Sequence, residues 1–432
     1  LNEEILNQYE KLTQLTLVNK NIDGSNYSDA TYRDIDTSIV TPEKRTIKLV
    51  SAPKGTGKTK AAIKALKPYS NVYSPNARRS LARSNASKFN HDYIDDTSIH
   101  SEKDLKVQYC ADSEYKLNSH KLTKNGAYFL DEIDQVLTHR LGQTCNKNGK
   151  RPLILQSFEY CLKAALNDGA VLGMSADLTD KEIRLINALK PSDTPLEVID
   201  YYIDPAILKV NQNINFYNDK TPDGMIEKVI ELLKQDQPCF MIDDTKNGYR
   251  GQRSISAYIK KILPHKRIVE INSDNSGSDE IKTLLEDINK TSLGVDLFVC
   301  TPSITSGVSI ENGRFNNVFG IFYHLSIKAG MQALERCRGA KNIHTWVAEE
   351  GRRFEGNKSI YPNEIKQWLF RNYEKNSLFI SQHLAEYDPL NDEWSSPWLD
   401  FHCEIMAYHN TCMWQYKKLF KYQLEKEGYE LE

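Results

Sequence analysis

The run Ala52-Pro53-Lys54-Gly55-Thr56-Gly57-Lys58-Thr59 constrains this chain more than any other stretch. It follows an apolar segment, Ile47 to Val50, and precedes a helix-forming one, Lys60 to Leu66. Strand, glycine-rich loop and helix together make the setting in which a backbone cradles phosphate. Gly55 and Gly57 let the chain turn N–H groups inward. The helix that follows offers its positive end to the same anion. In such a loop Lys58 reaches the β- and γ-phosphates, and Thr59 puts a hydroxyl where Mg²⁺ sits. Pro53, Lys54, Gly55, Thr56, Gly57, Lys58 and Thr59 are therefore the candidate triphosphate-binding residues. Ala52 stands where this pattern more often opens with Gly. The competing reading is an ordinary glycine-rich βα turn.

A second run complements the first. Ala127-Tyr128-Phe129-Leu130 is an apolar strand that ends in Asp131-Glu132-Ile133-Asp134. Carboxylates at the C-terminal end of a parallel strand lie beside the phosphate loop of a doubly wound sheet. Asp131 would hold Mg²⁺ directly or through water, and Glu132 would orient and polarise the attacking water. Asp134 would link them to elements that sense the nucleotide. An acidic helix N-terminus is the alternative. Between the two runs, Ser70 to Asn90 contains no acidic residue and four cations, Arg78, Arg79, Arg83 and Lys88. A nucleic-acid backbone needs such donors; a solvated helix face explains them equally well. The strand Ala170 to Ser175 ends in Ala176-Asp177, a further hydroxyl and carboxylate beside the same edge.

From residue 206 to residue 350 strand-like and helix-like segments alternate again, which predicts a second parallel sheet with flanking helices and no phosphate loop of its own. Two stretches stand out. Thr301 to Ser309 is rich in hydroxyls and follows a buried strand, so Thr301 and Thr305 are candidates for contacting a phosphate backbone. Gln332 to Arg338 places Arg336 and Arg338 at the end of a helix expected over Ala329 to Cys337. Arginine's planar fork matches phosphate oxygens, and either residue suits an arginine finger that stabilises charge on the γ-phosphate. Surface arginines at a helix C-terminus are the alternative. Tyr27 and Tyr32 are read as surface aromatics rather than adenine clamps. His402, His409 and Cys412 share a helix face and are read as core packing rather than as a zinc site.

The chain has 432 residues, enough for two or three domains. Lys+Arg total 56 and Asp+Glu 58, so any nucleic-acid site is local rather than a property of net charge. Eight scattered cysteines without a C-x-x-C pair read as reduced thiols, expected in the cytoplasm or in a host compartment of DNA replication. No apolar run approaches the roughly 20 residues of a membrane span, and there is no signal-peptide pattern. A chain that begins at Leu1 is expected to be a fragment of something longer.

In order along the chain, these segments resemble the motifs of a superfamily 2 helicase. Ala52 to Thr59 resembles motif I, Tyr73 to Arg83 motif Ia, Cys110 to Leu117 motif Ib and Asp131 to Asp134 motif II. Gly173 to Leu178 resembles motif III, Met241 to Lys246 motif IV, Thr301 to Ile310 motif V and Gln332 to Arg338 motif VI. Pro75 with Leu81-Ala82, Gly173-Met174-Ser175-Ala176-Asp177-Leu178 and Gln332-x-x-x-Arg336-x-Arg338 are similar to the origin-binding-protein type. That type includes herpesvirus origin-binding helicases and the helicase part of plasmid and cyanobacterial replication proteins. The resemblance covers residues 45–350 well. The chain departs at motif VI, whose arginine spacing is unusual, and at Asp177, where many relatives have Thr.

The resemblance implies two RecA-like, doubly wound parallel-sheet lobes with a mostly helical C-terminal extension. The expected organisation is a polar segment over 1–44, lobe one over 45–205, lobe two over 206–350 and the extension over 351–432. It also implies an ATP- and Mg²⁺-dependent DNA helicase that moves along single-stranded DNA and opens duplex during replication of a plasmid, phage or viral genome. RNA is a further substrate consistent with the motifs. Pro75, Asn76, Arg78, Arg79, Ser113, Thr301 and Thr305 would contact nucleic acid, and Gln332 would contact the nucleotide. Asp131 and Thr59 would hold the metal. A primase, polymerase or origin-binding domain is expected as a partner in the same longer chain. Two other readings use the same motifs: a translocase that remodels protein–DNA complexes without separating strands, and a DNA-binding scaffold with a vestigial ATP cycle.

Overall fold

Three apolar runs, Ile47–Ser51, Gly126–Asp131 and Ala170–Ser175, are buried at every residue, as strands covered by helices on both faces must be. They are β2, β6 and β7 of one parallel sheet in the computed structural model. The model describes residues 1–25, 34–96, 103–204, 213–276, 278–302, 309–388 and 393–432. Tyr27, Tyr32, Thr305 and most of the hydroxyl-rich loop after Thr301 lie outside the described residues. The chain divides into two compact units. The glycine-loop unit comprises Gln8–Asp204 and Gly356–Tyr408; the second unit comprises Leu1–Asn7, Pro205–Glu355 and His409–Glu432.

In the glycine-loop unit the remaining strands are β1 (Lys20–Asp23), β3 (Asn71–Asn76), β4 (Asp92–Tyr93), β5 (Lys106–Cys110) and β8 (Leu196–Tyr202). The eight-stranded sheet has the order β1-β8-β2-β7-β6-β3-β5-β4, and its ladders are all parallel. The two-residue period of the strands sends alternate side chains to opposite faces. Ile47, Leu49, Tyr128, Leu130 and Val171 join one core, with the helices α5 (Ile133–Leu141), α6 (Arg151–Ala165) and α7 (Asp180–Leu189). Val50, Phe129, Leu172 and Met174 join the other, with α3 (Lys58–Leu66). Lys48 is buried on that sheet too, and its ammonium pairs with Glu197 at 3.0 Å.

The second unit repeats the plan with six strands: β9 (Asn213–Tyr217), β10 (Cys239–Asp243), β11 (Ile268–Ile271), β12 (Leu297–Cys300), β13 (Asn317–Phe322) and β14 (Asn342–Val347). Their order is β11-β12-β10-β13-β14-β9, again parallel throughout. The fold is therefore two parallel-sheet α/β domains.

The C-terminal region is mostly helical, with helices Pro362–Arg371, Tyr373–Ser381, Pro397–Trp414 and Tyr416–Lys426 and one antiparallel hairpin, β15 (Glu386–Asp388) with β16 (Glu393–Ser395). The last two helices do not run on as one, because Gln415 leaves helical geometry at φ −136° and ψ 53°. Nor is the aromatic content of this region an appendage. Trp398 is fully buried in the glycine-loop unit, edge-on to Phe158 at 5.4 Å and donating its indole N–H to Glu159 at 3.0 Å. In the second unit Phe420 stacks on Phe322 at 5.3 Å. His402 pairs with His383 beside Phe379, and His409 Nε2 lies 2.7 Å from the Arg353 carbonyl.

Candidate functional site

After β2 the chain crosses the glycine loop and enters α3 at Lys58. Gly55 and Gly57 take φ values of 82° and 69°, in the left-handed region that side chains disfavour. A Cβ on Gly57 would also fall 2.3 Å from Asp34 Oδ1, so space as well as conformation demands glycine there. Asp34 pairs with Lys60 and so braces the first turn of α3. Sequence reasoning passed over Asp34, which sits upstream in a polar stretch with no motif. Thr56 donates its hydroxyl to the Pro53 carbonyl at 2.8 Å, and its own carbonyl accepts the Ile35 N–H at 2.8 Å. Thr59 is half-buried on the first turn, and Lys54 is exposed.

Lys58 is buried, and its ammonium donates to the carbonyls of Ala52 at 2.6 Å and Pro53 at 3.0 Å. Burial pulls its pKa below the ordinary lysine value, and the charges of Glu132 and Asp131 oppose that pull. The two carboxylates mirror it. Burial raises Asp131, while Lys58, Lys88 and a hydrogen bond from Asn85 oppose the rise. Burial raises Glu132 as well, against Lys58 and with reinforcement from Asp131 and Asp177. The sheet thus brings Lys58, Asp131 and Glu132 within electrostatic reach, as the sequence predicts for the edge of one doubly wound sheet. Glu132 has φ 50°, an unusual conformation for a non-glycine residue, at the turn from β6 into α5. A buried carboxylate and a half-buried one facing a single lysine fit a divalent cation, which would relieve the desolvation that holds both upward.

Ser175 joins the third segment to the second. Its hydroxyl donates to Asp134 at 2.6 Å, lies 3.3 Å from Glu132 and accepts the Asp177 N–H at 2.9 Å. Asp134 is pushed up to about 7 by burial and by Asp177, Glu132 and Glu182. Lys88 and Asn85 are site neighbours that sequence reasoning did not single out for Asp131. Their separation of three residues on α4 (Arg79–Phe89) is the signal that could have found them.

The expected nucleic-acid residues separate by exposure. Arg79 is exposed and Arg78 half-buried at the start of α4, whereas Pro75 and Asn76 are buried in β3. Asn76 is engaged within the fold. Its amide donates to the Ser74 carbonyl at 3.0 Å and Gln108 at 2.9 Å and accepts from Asn85 at 2.8 Å, so its polar groups tie β3 to β5 and α4. Ser113 is buried and donates to Asp112 at 3.2 Å. In the second unit Thr301 is buried just past β12, and Gln332 is half-buried on the helix Ile327–Leu334.

That helix stops before the arginines. Arg336 and Arg338 lie on an extended turn that pairs around Ile310: the Ile310 N–H donates to the Arg336 carbonyl and the Arg338 N–H to the Ile310 carbonyl, both at 2.9 Å. Arg338 is exposed and pairs with Glu311 at 3.1 Å. Arg336 is half-buried and close enough to Cys300, at the end of β12, to affect its thiol. The expectation of a helix end is replaced by a bridge between the two motif segments.

No protein-family model matches the chain. Over 424 residues it is 26% identical to an uncharacterized protein of Picosynechococcus sp., covering 93% of this chain and 42% of that protein. It is 24% identical over 347 residues to a candidate replication origin binding protein of Escherichia phage T5, covering 76% of this chain and 35% of that one. Over 263 residues it is 23% identical to a candidate helicase/primase complex protein of African swine fever virus, covering 60% and 23%. The chain thus spans less than half the length of these relatives. Among solved structures, Mss116p bound to ssRNA and AMP-PNP superposes with a TM-score of 0.54 at 13% identity, covering 100% of this chain and 95% of that one. Dbp5 of S. cerevisiae, bound to RNA and ADP BeF3, gives 0.51 at 14% identity, covering 79% and 85%. These likenesses show the fold alone, two RecA-like parallel-sheet α/β domains.

Proposed function

We propose that this chain is the motor portion of a replication protein, an ATP-dependent DNA helicase that couples hydrolysis to movement along single-stranded DNA and to duplex opening. The observation that carries the reading is the buried Lys58 at the mouth of the glycine loop, electrostatically coupled to Asp131 and Glu132 at the end of β6. A buried ammonium resting on two loop carbonyls has somewhere to go when phosphate arrives. Lys58 leaves Ala52 and Pro53 for phosphate oxygens, while backbone N–H groups of the loop and of the first turn of α3 take the rest. Thr59 and Asp131 would hold Mg²⁺, which supplies charge neutralisation at the phosphates. Glu132 holds the attacking water and accepts its proton, with burial and Asp131 keeping its basicity above that of a solvated carboxylate. Ser175 ties Asp134 to the strand that precedes Asp177, so a shift at one is felt at the other. Arg336 is the proposed finger: it is half-buried, whereas Arg338 is exposed at the surface.

DNA is preferred as the substrate because the sequence relatives are named for replication origins and a helicase/primase complex. The origin-binding type named above is part of the proposal, and so is a primase or origin-binding domain in the same longer chain. The decisive experiment measures ATPase rate with and without single-stranded DNA, then unwinding of 3′- and 5′-tailed duplexes. Lys58→Ala is expected to lower DNA-stimulated turnover by about 10²–10³-fold while DNA binding persists. Undiminished turnover in that variant would remove the assignment. Stimulated ATPase with triple-helix displacement but no strand separation would instead support the translocase reading.

A further inference from the structure

A second cluster in the glycine-loop unit takes no part in the nucleotide site. Cys110 closes β5, Asp112 follows on the short 3₁₀ turn Ala111–Lys116, and His139 lies on α5. One donor atom from each of these three residues lies within 4.8 Å of the other two. Cys110 Sγ and His139 Nε2 are 3.7 Å apart. Zinc–sulfur and zinc–nitrogen bonds of about 2.3 and 2.0 Å at a tetrahedral angle require a separation of about 3.5 Å, close to that spacing.

From this geometry we infer that Cys110, Asp112 and His139 form a site for a zinc-class divalent cation, with solvent completing the coordination. The inference goes beyond the motor reading and does not depend on it.

The donor set is thiolate, carboxylate and imidazole, the mixture that zinc accepts and that hard oxygen-preferring cations do not. Cys110 is buried, whereas Asp112 and His139 are each partly exposed, so the cluster has a wet side on which a fourth ligand fits. Charge closes as well: a divalent ion with one thiolate, one carboxylate and a neutral imidazole sums to zero. A bound divalent cation is what would hold the Cys110 sulfur as thiolate. Ser113 donates to Asp112 Oδ1 at 3.2 Å, the kind of outer hydrogen bond that orients a ligating carboxylate. Drawing Asp112 inward asks movement only of a turn residue.

Such an ion would clip the turn that carries Ser113 to the helix that begins just after Glu132. Those elements are already joined by the fully buried ion pair of Arg140 and Glu114 at 2.6 Å, with Tyr109 and Tyr128 also hydrogen-bonded to Glu114. The cation site is a second joint across the same seam.

The test uses the purified full chain, stripped with a chelator and titrated with Co²⁺ as a spectroscopic stand-in for zinc. About one equivalent is expected to bind, with a near-ultraviolet thiolate-to-cobalt band and the visible bands of tetrahedral cobalt. Zinc should displace it and raise the melting temperature. Cys110→Ser is expected to abolish the near-ultraviolet band, and His139→Ala to weaken binding by at least about 10²-fold. Asp112→Asn is a milder change on a partly exposed turn; circular dichroism should show it folded, with binding weakened. Cobalt bound without a thiolate band, or full stoichiometry retained in both Cys110→Ser and folded Asp112→Asn, overturns the site and leaves a thiol–imidazole hydrogen bond. Because the readout is metal binding, failure here is separate from failure of the ATPase assignment.

Discussion

Two strands, one in each unit, end in the same way and are used differently. β6 runs into Asp131-Glu132 and β10 into Asp243-Asp244, each an apolar strand buried along its length and closed by two carboxylates. In the glycine-loop unit Asp131 and Glu132 share the field of Lys58, and burial holds both above the usual carboxylate range. In the second unit Asp244 accepts backbone N–H bonds from Tyr323 at 2.8 Å, His324 at 2.8 Å and Leu325 at 2.9 Å. That carboxylate caps the loop after β13. Asp243 is fully buried beside it, accepts the Thr245 N–H at 2.8 Å and is raised by burial. A pair of acids at a strand end is thus the proposed seat of chemistry where a lysine and a glycine loop face it, and architecture where backbone N–H groups do.

The sharpest way to break this contrast is to neutralise each pair. Glu132→Gln is expected to lower ATP turnover by about 10²–10⁴-fold, the range for losing a positioned base, with stability unchanged or raised because a buried charge is gone. A loss of stability in place of a loss of turnover would make Glu132 structural. Asp244→Ala is expected to do the reverse. It strands three N–H groups, one buried and two part-buried, and should cost about 2–3 kcal/mol in denaturant melts, while turnover per folded molecule stays near the parent value.

A pH series sharpens the comparison within the glycine-loop unit. Asp134 is raised from 3.8 to about 7 in the folded protein. Between those two values the folded state keeps a proton that the unfolded chain has released, so stability falls as pH rises from about 4 to about 7. Asp134→Asn should flatten that slope by at most about 4 kcal/mol, at roughly 1.4 kcal/mol per unit. Melts of parent and variant at about pH 5 and about pH 8 read it directly; an unchanged slope would show that Asp134 does not hold the proton.

The smallest stability effect is expected at the motif VI arginines. Arg338→Ala removes an exposed pair with Glu311 and should change stability by less than about 1 kcal/mol, with turnover little affected. Arg336→Ala should reduce turnover far more than Arg338→Ala. The opposite ranking would make Arg338 the finger.

Much of this was legible in one dimension. The glycine loop, the acidic strand end and both α/β alternations follow from local pattern, because a strand buried on two faces must be apolar throughout and a phosphate loop must be glycine-rich. The role of Asp34 was not legible: it matters only because folding sets it against Gly57. Nor was the burial of Asn76, whose type and place in a motif suggested an exposed contact. The arginines of Gln332 to Arg338 read as a helix end, and pairing with Ile310 drew them out of the helix instead.

Residue order alone therefore determined which segments become strands, where the glycine loop lies and which side chains carry charge, since these depend on neighbours a few positions away. Tertiary structure decided which acids face a lysine and which cap a loop. It also set Cys110 and Asp112 beside His139, because these outcomes depend on burial and on partners distant in the chain.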